Sequence, residues 1–143
     1  MGILKKVVKF LAIFAIIFIS VIIISKEDEL IICIDAGHGG IDVGAVNGHR
    51  YEKDDNLKVA KLVKKYLEEQ DIKTIITRNN DANVSLRQRC KIANRKEADI
   101  FVSIHRNSAD EGQGIEIWTS STQSLEDLNL ANSILSQLEN TVI

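Results

Sequence analysis

The sequence predicts an α/β domain with an open, largely parallel and twisted sheet, helices on both faces, and an N-terminal transmembrane or signal-anchor segment before it. Short β-branched runs alternate with amphipathic helical segments after residue 30, which is typical of βαβ units joined by right-handed crossovers. Residues 31–34 are apolar throughout, as in a strand that is buried on both faces. Residues 10–25 carry no charge and follow three lysines, which indicates the membrane segment.

Residues 1–25 are predicted to be a signal-anchor. The uncharged run approaches the roughly 20 residues that span a bilayer once Val7 and Val8 extend it. Isoleucines at 22–24 occupy the zone where a cleavage site needs small residues, so an uncleaved anchor is favoured and a cleaved, secreted form is the alternative. The preceding lysines predict that the rest of the chain lies outside the cytoplasm. Residues 26–29 are a charged linker, and residues 30–143 form the domain.

Composition excludes nucleic acid as a partner of this domain. The 143 residues carry a net charge of -2, and setting aside Lys5, Lys6 and Lys9 leaves 15 basic and 20 acidic residues, or -5. A net negative domain is repelled by nucleic acid and by anionic lipid surfaces. Two cysteines do not make a disulfide framework. Cys33 and Cys90 are both expected to be buried thiols, and a disulfide bond between them is the alternative for a domain outside the cytoplasm.

The elements of the domain follow from local patterns, beginning with a strand at residues 30–35. Residues 36–51 form a glycine-rich loop of a length that is usually functional or disordered. The later elements are predicted as a helix at 53–70, a strand at 72–77, a helix from Ser85 to 96 with Leu86, Cys90 and Ala93 inward, strands at 99–104 and 114–119, and a helix opened by Ser124. Ser85 with Gln88, and Ser124 with Asp127, have the spacing of a capping box.

Two histidines and a carboxylate are predicted to meet at one edge of this sheet. His38 lies three residues beyond the first strand, His105 directly follows the strand at 99–104, and Glu52 lies at the amino end of the first helix. Ligands of open α/β sheets bind beyond the carboxyl ends of the strands. Two His and one carboxylate match an open zinc site that keeps a position for water. The alternative is a set of scattered polar loop residues, with nearby competitors at Asp42, His49, Asp54 and Asp55.

Several motifs, in order, resemble one enzyme family. They are Asp35-Ala36-Gly37-His38-Gly39-Gly40, Glu52-Lys53-Asp54 with Asn56-Leu57, Thr77-Arg78, Arg89 with Ala93-Asn94, Ala98-Asp99 through Ser103-Ile104-His105-Arg106-Asn107, and Gly114-Ile115-Glu116. The chain resembles the zinc-dependent N-acetylmuramoyl-L-alanine amidases of the type-3 class. The resemblance implies cleavage of the bond between N-acetylmuramic acid and L-alanine in peptidoglycan, with one Zn²⁺ per chain held by His38, Glu52 and His105. A short anchored form is similar to the spore-cortex or germination amidases.

The resemblance also implies residues that this chain does not match. The family carries a second glutamate near its carboxyl end as catalytic base, with further sheet and helix, whereas this sequence ends at Ile143. A C-terminally truncated amidase is therefore expected, and the nearest candidate base, Glu116, belongs to a different motif. The alternative is a catalytically inactive module that keeps the fold and binds peptidoglycan or a protein partner.

Secondary roles are expected for four further residues. Asp35 and Asn107 are candidates for orienting the metal ligands, and Arg78 and Arg89 for meeting substrate carboxylates. Strand-end solvation and turn capping explain Asp35 and Asn107 about as well, and a surface position at a helix or strand end is the commoner explanation for the two arginines. The expected partners are peptidoglycan, the membrane through the N-terminal segment, and an activating protein.

Overall fold

A computed structural model describes residues 29–108 and 114–139. The elements are β1 (Ile31–Ala36), β2 (Val46–Asn47), β3 (Arg50–Tyr51), α1 (Glu52–Glu68), β4 (Lys73–Ile76), α2 (Leu86–Arg95), β5 (Ile100–Ile104) and α3 (Leu125–Glu139). They fall into two compact units, divided between Asn107 and Ser108. The predicted anchor at residues 1–25 lies outside the described part. Among the described helices, none has the length and apolar character needed to cross a membrane.

The first unit is built on a three-stranded parallel sheet in the order β4-β1-β5. Ile34 of the central strand lies opposite Ile76 on one side and Val102 on the other. The parallel sheet predicted from the alternating strands and helices is confirmed. Since all three strands run the same way, the residues that follow β1 and β5 emerge at the same edge.

Helices cover both faces of the central strand. Ile34 and Ala36 pack against Ala60 of α1 and form the core of this unit. Side chains alternate between the faces of a strand, so Asp35 points the other way, where it pairs with Arg89 of α2. The prediction of helices on both faces therefore holds for α1 and α2.

The inward face of α2 was predicted correctly at Ala93 and wrongly at Leu86 and Cys90. Arg89 and Ala93 are its buried residues, whereas Leu86 is 82% exposed and Cys90 is also exposed. The buried ion pair to Asp35 fixes the rotation of the helix, and it turns Leu86 and Cys90 toward solvent. The expectation that both cysteines are buried is correct for Cys33 and wrong for Cys90.

Residues 114–119 were predicted as a strand but form none in this structure. A strand requires a hydrogen-bonded partner strand, and residues 114–119 belong to neither of the two described sheets. The helix predicted to follow it is present as α3. Ser124 N donates to Asp127 Oδ2 (2.8 Å) and Asp127 N donates to Ser124 Oγ (3.1 Å), so the capping box read from the sequence is confirmed. The long loop after β1 contains an unpredicted short hairpin, β2–β3.

Candidate metal centre

Three side chains from separate elements converge at the carboxyl edge of the sheet. Glu52 Oε1 lies 3.3 Å from His38 Nε2 and 2.9 Å from His105 Nδ1. The imidazole rings meet edge to face with their centroids 4.8 Å apart. Each of the three residues offers a ligand atom within 4.8 Å of the others. This convergence follows the prediction, because His38 and His105 leave the ends of neighbouring parallel strands and Glu52 begins α1.

The donor set and its spacing fit a zinc ion. Zinc in catalytic sites takes imidazole nitrogens and carboxylate oxygens at about 2.0–2.2 Å, in tetrahedral geometry. Ligand atoms at that distance from one ion are about 3.3 Å apart, close to the 3.3 Å and 2.9 Å measured here around Glu52 Oε1. No other such cluster of His, Cys, Asp or Glu occurs in residues 29–108 and 114–139. His49, Asp42, Asp54 and Asp55, the competing candidates, lie outside the cluster.

Glu52 is held in its ionised form by several donors. It is 4% exposed, and Oε2 accepts from Ala45 N at 2.7 Å, while Oε1 accepts from Arg106 N at 3.0 Å and Asn56 Nδ2 at 3.3 Å. Burial raises the pKa of Glu52, but the hydrogen bonds from Ala45, Asn56 and His105 outweigh it and leave the pKa below its ordinary value. An ionised carboxylate is the form that binds a cation.

Asp42 orients His38. Its Oδ2 lies 2.9 Å from His38 Nδ1, which leaves Nε2 directed at Glu52. The hydrogen bond with His38 lowers the pKa of Asp42, so it remains a carboxylate. A carboxylate on the far nitrogen fixes the ring orientation of a metal-binding histidine. His38 itself has a φ of 59°, in the left-handed region that non-glycine residues rarely adopt.

Glycines provide the space in which the ligands meet. A Cβ on Gly44 would lie 2.6 Å from His38 Cδ2 and 2.7 Å from Glu52 Oε2. A Cβ on Gly37 would lie 2.4 Å from two atoms of the His105 ring. A side chain at either position would therefore displace a ligand, so the glycine-rich sequence after β1 serves the site directly.

Arg78 and Arg89, expected to meet substrate carboxylates, are 4% and 5% exposed. Their guanidinium groups donate to backbone carbonyls, and Arg89 also donates to Asp35. Asp35, expected to orient a ligand, accepts from Arg89, Thr77 and Ser103 rather than from an imidazole. These three residues form a buried network behind the site, and substrate contact by the arginines stays a prediction.

The roles expected for Asn107 and Glu116 stay predictions. Asn107 is exposed and lies two residues beyond His105. Glu116, the candidate base, belongs to the second unit, where it accepts from Trp118 Nε1 at 3.1 Å. Asn56 contacts Glu52, although the sequence alone assigned it no role. It is 1% exposed and follows Glu52 by four residues on α1. A polar residue on the core-facing stripe of this helix was the signal that could have identified it.

Comparison with known proteins identifies the family. Residues 32–142 match the N-acetylmuramoyl-L-alanine amidase family. The chain belongs to this family. It is 42% identical over 92 residues to the germination-specific N-acetylmuramoyl-L-alanine amidase of Bacillus subtilis (strain 168), an alignment that covers 54% of this chain and 39% of that amidase. The chain spans about half or less of the length of the curated relatives that it matches.

Solved amidase structures share the fold. The N-acetylmuramoyl-L-alanine amidase from Clostridium difficile 630 is 34% identical, with a TM-score of 0.70 over 78% of this chain and 63% of that one. The catalytic domain of the amidase CwlV from Bacillus (Paenibacillus) polymyxa var. colistinus is 40% identical, with a TM-score of 0.55 over 57% of this chain and 48% of that one.

Proposed function

We propose that this chain hydrolyses the amide bond between N-acetylmuramic acid and L-alanine in peptidoglycan, with one zinc ion held by His38, Glu52 and His105. The observation that carries the proposal is the convergence of these three side chains in a chain that matches the amidase family. The likeness to a germination-specific amidase supports a role on the spore cell wall.

The chemistry follows from the donor set. A zinc ion bound there would lower the pKa of a water molecule towards neutrality and polarise the substrate carbonyl. In the reaction, the water oxygen bonds to the lactyl carbonyl carbon of N-acetylmuramic acid and the carbon–nitrogen bond breaks. The nitrogen takes up a proton and leaves as the free amine of L-alanine. Asp42 holds His38 by Nδ1, and the donors on Glu52 keep its carboxylate ionised and fixed.

Zinc content tests the metal site. We expect about one zinc per chain in the dialysed full-length protein and in His49→Ala, which removes the exposed histidine outside the cluster. We expect almost none in His38→Ala or His105→Ala, with circular dichroism showing that each variant is folded. Wild-type protein that retains no zinc, or a His38→Ala variant that retains as much as wild type, would contradict the proposal.

Peptidoglycan cleavage tests the activity. Purified muropeptide incubated with the zinc-loaded chain should release a peptide with a free N-terminal L-alanine. The release should stop on chelation, return with added zinc, and be unaffected by His49→Ala. A zinc-loaded chain that binds muropeptide and releases no peptide would instead support an inactive wall-binding module, or an enzyme that needs an activating protein partner.

We also propose that residues 1–25 anchor the domain on the outer side of the cytoplasmic membrane, where peptidoglycan lies. The three lysines before an uncharged run support this orientation. A carboxyl-terminally tagged full-length chain should sediment with membranes and be digested by protease added to spheroplasts. A shortened form in the medium would show cleavage and secretion, and a protease-resistant cytosolic chain would contradict export.

A further inference from the structure

We propose, building on the zinc function proposed above, that Arg78 and Arg89 are positioning residues for the metal site. Their buried guanidinium groups fix the backbone that carries His38 relative to the elements that carry Glu52 and His105. The two arginines would then set the separation of the three ligands without being ligands themselves.

The two guanidinium groups bind three consecutive carbonyls at the point where β1 ends. Ala36 O accepts from Arg78 Nε (2.9 Å) and from Arg89 Nη1 (2.6 Å). Gly37 O accepts from Arg78 Nη2 (2.9 Å), and His38 O accepts from Arg89 Nη2 (2.8 Å). Buried carbonyls require donors, and here charged side chains supply them where the strand ladder stops.

These bonds hold His38 in an unfavourable conformation. With a φ of 59°, His38 occupies the left-handed region, which few non-glycine residues adopt and which persists where the surrounding structure holds the residue in it. The arginines hold its own carbonyl and those of the two residues before it. Without the hydrogen bonds from the two arginines, the backbone at His38 would relax, and the imidazole would turn away from Glu52.

Arg78 also joins the His38 loop to the helix of Glu52. Its Nη2 donates to Gly37 O (2.9 Å) and to Lys53 O (2.7 Å). Lys53 is the residue next to Glu52, so one guanidinium group contacts the backbone beside both ligands. The separation of His38 and Glu52 therefore depends on this bridge.

Arg89 joins the same loop to the strand of His105. Its Nη1 donates to Asp35 Oδ1 (2.6 Å), and Asp35 Oδ2 accepts from Ser103 Oγ (2.7 Å). Ser103 lies on β5, two residues before His105. The Arg89–Asp35 pair is nearly inaccessible to solvent, so dissolved ions screen it only weakly.

Lysine cannot reproduce these contacts. The guanidinium group presents five N–H donors in a rigid plane, whereas the donors of an ammonium group all lie on one nitrogen at the end of a flexible side chain. Arg78→Lys and Arg89→Lys keep the buried positive charge but give up most of the carbonyl contacts. They are thus the variants that separate positioning from simple charge compensation.

The test measures zinc affinity and site geometry in the full-length chain. Zinc affinity is obtained by competition with a chelator, and the geometry is followed by the visible absorption of bound Co²⁺. We expect each Lys variant to bind zinc at least about tenfold more weakly than wild type, with altered Co²⁺ bands. The control is Leu67→Ala, which removes a core contact on α1, roughly 22 Å along the helix from Glu52. It should lower the melting temperature and leave zinc affinity unchanged while the protein is folded.

The outcomes separate the positioning role from the zinc function. Lys variants with wild-type zinc affinity and Co²⁺ spectra would overturn the positioning role and leave the zinc function intact. A wild-type chain that binds no zinc would overturn both. If the Lys variants fail to fold, Ser103→Ala tests the same network, because it removes one donor to Asp35 from an exposed residue. We expect a loss of zinc affinity smaller than tenfold, and an unchanged affinity would overturn the role.

Discussion

Replacing Gly37 with alanine should remove His105 from the proposed metal site without unfolding the protein. The added Cβ would lie 2.4 Å from Cε1 and Nε2 of the His105 ring. Non-bonded carbon atoms rest about 3.5–4.0 Å apart, so one of the two groups must move by at least about 1 Å. Gly37 has no left-handed φ, and alanine therefore meets no backbone strain there.

The ring should move rather than the backbone. Gly37 N donates to Ile104 O (3.0 Å), and Gly37 O accepts from Arg78 Nη2 (2.9 Å) and Asn56 Nδ2 (3.2 Å). The His105 side chain is 47% exposed and can swing into solvent. Metal–ligand distances tolerate only about 0.2 Å, so a shift of about 1 Å breaks the bond to zinc.

We expect Gly37→Ala to lose zinc affinity by at least about 100-fold, or about 2.8 kcal/mol. Chelator competition measures the affinity, and thermal melting in excess EDTA compares the metal-free stabilities, which should be similar. The matched control is Gly48→Asn, since a Cβ there meets nothing within 4 Å and asparagine tolerates the left-handed φ of 58°. Wild-type zinc affinity in Gly37→Ala would refute the packing of His105 over Gly37.

Three further predictions concern stability and reactivity. Ser85→Ala should cost about 1 kcal/mol of unfolding free energy in urea, because it removes the cap of α2; an unchanged midpoint would argue against that cap. A thiol reagent should label Cys90 in the native protein and spare Cys33, since burial and then the neighbouring Asp35 raise the pKa of Cys33 to about 11; two labelled thiols would contradict this. In EDTA, unfolding free energy should fall as pH drops below about 4.3 through the lowered folded-state pKa of Glu52. Glu52→Gln should show a shallower fall, and equal slopes would count against an ionised, stabilising carboxylate.

The parallel sheet and the convergence of His38, Glu52 and His105 could be predicted from the sequence, because each depends on a short local pattern and a general rule of sheet topology. An apolar run predicts a buried strand, and alternation with helices predicts parallel pairing. Parallel pairing then brings the residues after β1 and β5 to one edge. These steps place His38 and His105 together although 67 positions separate them, and α1 brings Glu52 to the same edge because it follows β1.

The support behind the site was not predictable in the same way. Arg89 and Asp35 are 54 positions apart, and no local pattern predicts that a charged residue of α2 is buried. The apolar residues of that helix predicted a different buried face, and the buried ion pair between Arg89 and Asp35 instead sets which face packs inward. The strand predicted at 114–119 failed for a related reason, since local sequence describes a strand's propensity and not the partner with which it must pair.

X-ray absorption at the zinc edge of the zinc-loaded full-length chain tests the central claim most directly. Two imidazole nitrogens and carboxylate or water oxygen at about 2.0–2.2 Å, with no sulfur, are the ligands expected for His38, Glu52 and His105. His38→Ala should lose one imidazole contribution or the zinc itself, and His49→Ala should give the wild-type spectrum. Sulfur at about 2.3 Å, which would implicate Cys90 or Cys33, or a spectrum unchanged by His38→Ala, would contradict the metal centre.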